Sequence, residues 1–202
     1  MMIEEGMSFE EALKIAQEKG YAEKDPTADV EGHDACRKVC ILASLAFGKH
    51  VYPNQVETEG ITKISLEDVS YIENAGGVIK LLGQIKYIND NEIAAFVSPA
   101  VVYNGSQLAS VKDVFNAILV RGDAVGDVCF YGPGAGKLPT ASAVVADIID
   151  CAKHSDRKKI FGWGEGSENY VVDYKEKIEM PFYVRAKATP VSYTHLRAHE
   201  TS

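Results

Sequence analysis

Asp34 and Lys38 stand four residues apart in the stretch GYAEKDPTADVEGHDACRK, Gly20 to Lys38. On a helix that spacing puts both side chains on one face, about 5–6 Å apart at Cβ, where an acid and an amine can act on one substrate. Spacing alone favours the plainer reading, a solvated ion pair that contributes about 0.3–0.5 kcal/mol. Two features argue for chemistry instead. The same face continues into Ile41 and Leu45, so the pair is expected to lead into the buried half of its helix, and charges are costly to bury without a purpose. Glu23, Asp25, Asp29 and Asp34 also crowd carboxylates ahead of the one lysine, beside the phenol of Tyr21. Like charges that close call for a cation, either Lys38 or the ammonium of a bound amino compound.

The elements that must position these groups are legible from periodicity and caps. Ser8 with Glu11 forms a capping box, and an apolar stripe of Ala12, Ile15 and Ala16 predicts a helix over 9–19 that ends at Gly20. Residues 21–29, with Pro26, read as a loop. A helix is expected over 30–47, central because its second half holds Ser44 as its one polar residue, and closed by Gly48. Ser65 and Asp68 repeat the capping box before a short helix to Ala75, which Gly76 and Gly77 break. Strands follow at 78–88 and 92–102 around Asn89-Asp90-Asn91, then at 114–121 and 125–131 around Gly122-Asp123. Pro139 marks the first turn of a helix to Lys153 whose apolar side is Val144, Val145, Ile148 and Ile149. The fold expected is α+β, a mixed, largely antiparallel sheet covered by helices. Residues 1–155 form the main domain and 156–176 read as a linker. Residues 177–188 open something new, with a strand at 182–186, and 189–202 lose all periodicity and read as a non-native tail.

Composition narrows the partners. The chain has 202 residues and a net charge of -8, which repels a nucleic-acid backbone or an anionic membrane surface. No apolar run is long enough to span a bilayer. Cys36, Cys40, Cys129 and Cys151 lack close metal-ligand pairing and read as small buried hydrophobes in a reducing cytoplasm.

A glycine-rich loop, Gly132 to Gly136 followed by Lys137, invites two phosphate-binding readings. A P-loop needs four residues between its glycines and Ser or Thr after the lysine; here three intervene and Leu138 follows. The dinucleotide pattern G-x-G-x-x-G fails as well, since Lys137 takes the place of the third glycine. A tight strand-to-helix turn remains.

The acidic segment resembles the homoserine dehydrogenase signature, in which G-Y-x-E-x-D-P runs through D-x-x-G-x-D to a lysine. Gly20, Tyr21, Glu23, Asp25, Pro26, Asp29, Gly32, Asp34 and Lys38 match it, and the likeness continues through ILASLAFG, EGITKI and GPGAGKLPTASAVVADI. The resemblance implies that Glu23 and Asp34 hold the substrate with Tyr21 and Asp29 beside them, and that Lys38 handles the proton with Asp34. It further implies that Gly20, Glu23, Gly134 and Gly136 approach an NADP or NAD cofactor, and that the chain forms a homodimer. The implied reaction interconverts L-homoserine and L-aspartate 4-semialdehyde on the way to threonine and methionine.

Physical chemistry agrees with that implication. Hydride exchange between an alcohol and an aldehyde needs a group that takes the hydroxyl proton one way and returns it the other. An ordinary lysine is too basic to do so efficiently at neutral pH, so the role calls for partial burial. No dinucleotide fingerprint precedes the signature, so a nucleotide-binding domain is expected ahead of residue 1, and the fragment by itself is expected to be inactive. Phe182 to Ala188 similarly resembles the opening strand of a small regulatory, ACT-like domain. The competing reading is a non-catalytic amino-acid-binding or dimerisation module, which would not need Lys38 beside its carboxylates.

Overall fold

The computed structural model describes residues 7–18, 24–134, 136–156 and 162–186. Helix α1 spans Phe9–Glu18, with Ser8 and Glu11 closing the expected box: the Ser8 amide donates to Glu11 Oε2 at 3.0 Å and the Glu11 amide to Ser8 Oγ at 3.2 Å. The helix expected over 30–47 is interrupted. A single turn, α2 (Thr27–Val30), precedes α3 (His33–Phe47), because Gly32 takes φ 79°, a left-handed conformation that ends one helix and starts the next. Strand β1 (Glu57–Thr58), helix α4 (Leu66–Asn74), the long hairpin β2 (Gly77–Asn89) and β3 (Glu92–Tyr103), a second hairpin β4 (Phe115–Gly122) and β5 (Gly126–Pro133), helix α5 (Lys137–Lys153) and the turn α6 (Tyr174–Lys177) complete the order.

Strand β3 is the centre of the molecule. It lies between β1, parallel, and β2, antiparallel, in a three-stranded sheet, while β4 and β5 form a separate antiparallel pair. The α+β class holds, with two sheets among the described residues where one was expected. Alternate side chains of β3 enter opposite faces, as a period of two dictates. Ile93, Ala95 and Val97 join Cys36, Val39, Cys40 and Ala43 of α3, together with Val51, Val56 and Tyr170. Ala94 and Phe96 point the other way, to Tyr174 and Ile178. Both faces are therefore covered, and β3 reads as a continuous apolar run for that reason. Helix α3 approaches β2 where Gly83 has no side chain; a Cβ there would lie 2.3 Å from Val39 Cγ2.

The second cluster corrects the linker expected at 156–176. Tyr170 is buried, and its carbonyl accepts the Ile93 amide at 3.0 Å. Tyr174 stacks on Phe96 with ring centroids 3.9 Å apart. The stretch is polar around these two aromatic anchors, which is why its composition resembled a tether. The strand expected at 182–186 is also absent: residues 181–186 form no regular element and are held by side chains rather than by a ladder. The 189–202 tail lies outside the described residues.

Helix α5 is a further departure. Val144, Val145, Ile148 and Ile149 form its apolar side as expected, yet all are exposed, as is Leu138. No described helix is long and apolar enough to cross a membrane.

Candidate functional site

The acidic segment folds around backbone contacts that its neighbours dictate. Asp25 is committed to the start of α2: its Oδ1 accepts the Thr27 hydroxyl at 2.6 Å and the Thr27 amide at 3.1 Å, and these bonds hold its carboxyl below the usual carboxylate range. One carboxylate of the four thus serves a turn rather than a guest. Asp29 sits exposed on α2, and its carbonyl accepts the Gly32 amide at 3.2 Å.

The EGI loop clamps the α2–α3 junction from the other side. The Ile61 amide donates to the Val30 carbonyl at 2.8 Å, and the Glu59 amide to Val97 at 2.8 Å. Gly60 approaches so closely that a Cβ would meet the Val30 carbonyl oxygen at 2.1 Å and the Glu31 Cα at 2.5 Å. Gly32 in turn faces Thr58 Cγ2 and Val97 Cγ1, which a Cβ would meet at 3.2 and 3.3 Å. Strands β1 and β3 therefore fix where α3 begins. Gly60 was inside a matched segment, but a lone glycine does not announce which backbone it must admit.

On α3, Lys38 Nζ meets Asp34 Oδ2 at 2.7 Å, as the spacing predicts. Their surroundings differ from expectation. Lys38 and Asp34 keep 62% and 45% of their side-chain surface exposed, and Ile41 and Leu45 are 53% and 54% exposed. The buried stripe is instead Cys36, Val39, Cys40, Ala43 and Ser44, one step around the helix. Apolar residues on all sides of the helix's second half made the two faces indistinguishable in sequence; the sheet chose one. Burial pushes the Cys40 thiol up to about 12, reinforced by Cys36, so this pair behaves as core. Gly20, Tyr21 and Glu23 lie outside the described residues.

Gly134 and Gly136 occupy a different element, the β5–α5 loop. The Gly134 amide donates to the Val114 carbonyl at 2.9 Å, and a Cβ at Gly134 would lie 1.7 Å from Asn116 Nδ2, so the Asn116 side chain buttresses the loop. Gly136 opens α5 with φ 116° and no capping side chain. An open cleft of about 300 Å³ lies beside this hairpin, lined by Lys80, Leu108, Lys112 and Asn116 and by none of the expected site residues. Lys80 donates from it to the Val111 carbonyl, and burial lowers the basicity of its amine.

Comparison with known proteins agrees with the geometry. The family model for homoserine dehydrogenase matches residues 1–149. The homoserine dehydrogenase of Bacillus subtilis is 44% identical over 153 residues, which are 76% of this chain and 35% of that protein. A crystal structure of the Staphylococcus aureus homoserine dehydrogenase superposes with a TM-score of 0.70 at 45% identity, over 78% of this chain and 39% of that one. A hyperthermophilic archaeal homoserine dehydrogenase, in complex with NADPH, superposes with a TM-score of 0.56 at 27% identity, over 74% of this chain and 41% of that one. This chain spans about a third of the length of the curated relatives it matches, and it belongs to the homoserine dehydrogenase family.

Proposed function

We propose that this chain supplies the substrate-binding and proton-transfer half of a homoserine dehydrogenase, interconverting L-homoserine and L-aspartate 4-semialdehyde. The observation that carries the reading is the Asp34–Lys38 pair, presented to solvent on a helix whose start is fixed by bare backbone at Gly32 and Gly60. Exposure by itself is equally that of a plain surface pair, and the match of residues 1–149 to the homoserine dehydrogenase family model is what favours the catalytic reading. Lys38 Nζ takes the proton of the substrate hydroxyl in oxidation and returns it in reduction. The Asp34 carboxylate, with Glu23 and with Asp29 and Tyr21 beside them, receives the substrate ammonium and orients the reacting carbon.

NADP or NAD supplies or accepts the hydride when bound; NADPH is the cofactor in the archaeal relative's complex. The turn at Gly134 and Gly136 suits its approach. Both glycines are exposed, Gly136 has a backbone that side chains resist, and the first turn of α5 has no capping side chain in the way. Gly20 and Glu23 are assigned to the same contact. The exposure of Lys38, and of the apolar sides of α3 and α5, supports a cleft whose other wall is a nucleotide-binding domain that also dries the amine.

The test is kinetic, in a polypeptide that carries a nucleotide-binding domain ahead of residue 1. Lys38→Ala should lose most turnover and still bind homoserine, while Glu23→Gln and Asp34→Asn should raise KM for homoserine far more than for the cofactor. Near-normal turnover in Lys38→Ala overturns the assignment and favours the non-catalytic amino-acid-binding reading.

We further propose that the chain is a cytoplasmic homodimer. Cys36, Cys40 and Cys129 form no disulfide among the described residues, which supports the compartment. The β4–β5 pair supports the dimer, since it exposes Ile118, Val120, Phe130 and Tyr131. Light scattering at micromolar concentration should give twice the mass of one chain; a strict monomer removes the proposal. Residues 177–188 are assigned to the start of a regulatory, ACT-like domain.

A further inference from the structure

Residues 181–186 lie against the start of helix α4, fastened there by donors that converge on one buried carboxylate. Asp68 Oδ2 accepts the Ser65 amide at 2.8 Å, the Ser65 hydroxyl at 2.9 Å and the Arg185 guanidinium. Its Oδ1 accepts the Tyr183 phenol at 2.8 Å. Arg185 also donates to Ser65 Oγ at 2.8 Å and to the Lys63 carbonyl at 3.2 Å. A capping box needs only the serine and the acid, and its acid ordinarily sits in water. Here the acid is almost fully buried and half of its donors come from the far end of the described chain.

The two sides of this contact respond differently to separation. Asp68 is covered with residues 181–186 in place, and separation takes away half of its donors, including the charge-assisted bond from Arg185, which is unfavourable. Arg185 keeps half of its side chain exposed and can return to water at little cost. Arg185 is the charge that acts on this carboxylate, Glu67 feels both Asp68 and Arg185, and Tyr71 acts on the Tyr183 phenol. The two core clusters contain none of residues 181–186, so the body does not depend on them for packing.

We propose that Asp68 is a charge-operated anchor for the 181–186 strap. Ionised, it holds the strap on α4; neutralised, it lets the strap leave while the sheet and α3 remain folded. This inference is independent of the catalytic reading.

Trypsin reads the state of the strap directly, because it must draw the side chain it cuts after into its own acidic pocket, and a docked Arg185 is withheld from it. Cleavage after Arg185 in the full chain should be slow and should rise roughly ten- to a hundredfold in Asp68→Asn, the factor carried by hydrogen bonds to a charged group. Equal rates in the two proteins overturn the proposal. Asp68→Asn also weakens the cap of α4, so melting is followed in parallel. If that variant melts early and is cut everywhere, Tyr183→Phe and Arg185→Lys decide, since both leave the Ser65–Asp68 box intact and the second keeps a trypsin site while losing the guanidinium fork. Acceleration confined to position 185 in these variants supports the anchor, and no acceleration in either refutes it.

Discussion

Gly60→Ala separates two accounts of how the acidic segment is held, because they give opposite signs. In an ordinary loop whose backbone tolerates alanine, removing a glycine stabilises a protein by about 0.4–1 kcal/mol, through the unfolded chain. At Gly60 the added Cβ would stand 2.5 Å from Glu31 Cα and 2.1 Å from the Val30 carbonyl oxygen, both backbone atoms that no rotamer change can move. Carbon atoms pack at about 3.5–4.0 Å, so the EGI loop and the α2–α3 junction must part by roughly 1 Å. The junction cannot simply retreat, since Gly32 already faces Thr58 Cγ2 and Val97 Cγ1 within 3.3 Å of where its own Cβ would be. Overpacking of this kind costs about 1–3 kcal/mol. Loss of the 2.8 Å bond from the Ile61 amide to Val30 adds about 1 kcal/mol. The expected destabilisation is about 2–4 kcal/mol, or a melting temperature lower by roughly 5–15 °C for a chain of this size. Gly105, where a Cβ would meet nothing within 4 Å, provides the control: Gly105→Ala should be neutral or slightly stabilising. Circular-dichroism melts and urea titrations of both variants measure the difference. A Gly60→Ala protein that melts at or above the wild-type temperature refutes the clamp.

Two further outcomes follow from the packing and the electrostatics. Tyr170→Ala removes a buried ring from the cluster around α3 and β3 and should cost about 3–5 kcal/mol in a urea titration; a loss under about 1 kcal/mol would restore the linker reading of 156–176. Asp68 is held below the usual carboxylate range first by the Ser65 amide, then by the Tyr183 and Ser65 hydroxyls and Arg185. Its stabilising contribution is therefore fully present above that range and is lost as pH falls through the lowered value. Urea midpoints should drop between neutral pH and about pH 3, and Asp68→Asn should blunt that drop; an unchanged pH slope in the variant would assign the acid sensitivity to other carboxylates.

What the sequence determined by itself was whatever local chemistry settles. Ser8 with Glu11 and Ser65 with Asp68 announce helix starts because the partners of a capping box lie three residues apart. The long hairpin was legible because β-branched runs flank Asn89-Asp90-Asn91, and the Asp34–Lys38 contact because four residues is one helical turn. Matching types at matching spacings in the acidic segment sufficed for the family. Only the tertiary structure decided which face of α3 is buried, since Ile41 and Leu45 are as apolar as Val39 and Ala43, and the sheet accepts the stripe opposite Gly83. It also decided that the polar stretch before α6 belongs to the body, because two aromatic side chains outweigh their surroundings once β3 offers Ile93 and Phe96 to receive them. The double role of Asp68, cap to its own helix and anchor to residues 183 and 185, could not be read locally at all. Its partners are distant in sequence, and a carboxylate's hydrogen-bonding capacity says how many donors it can take, not where they come from.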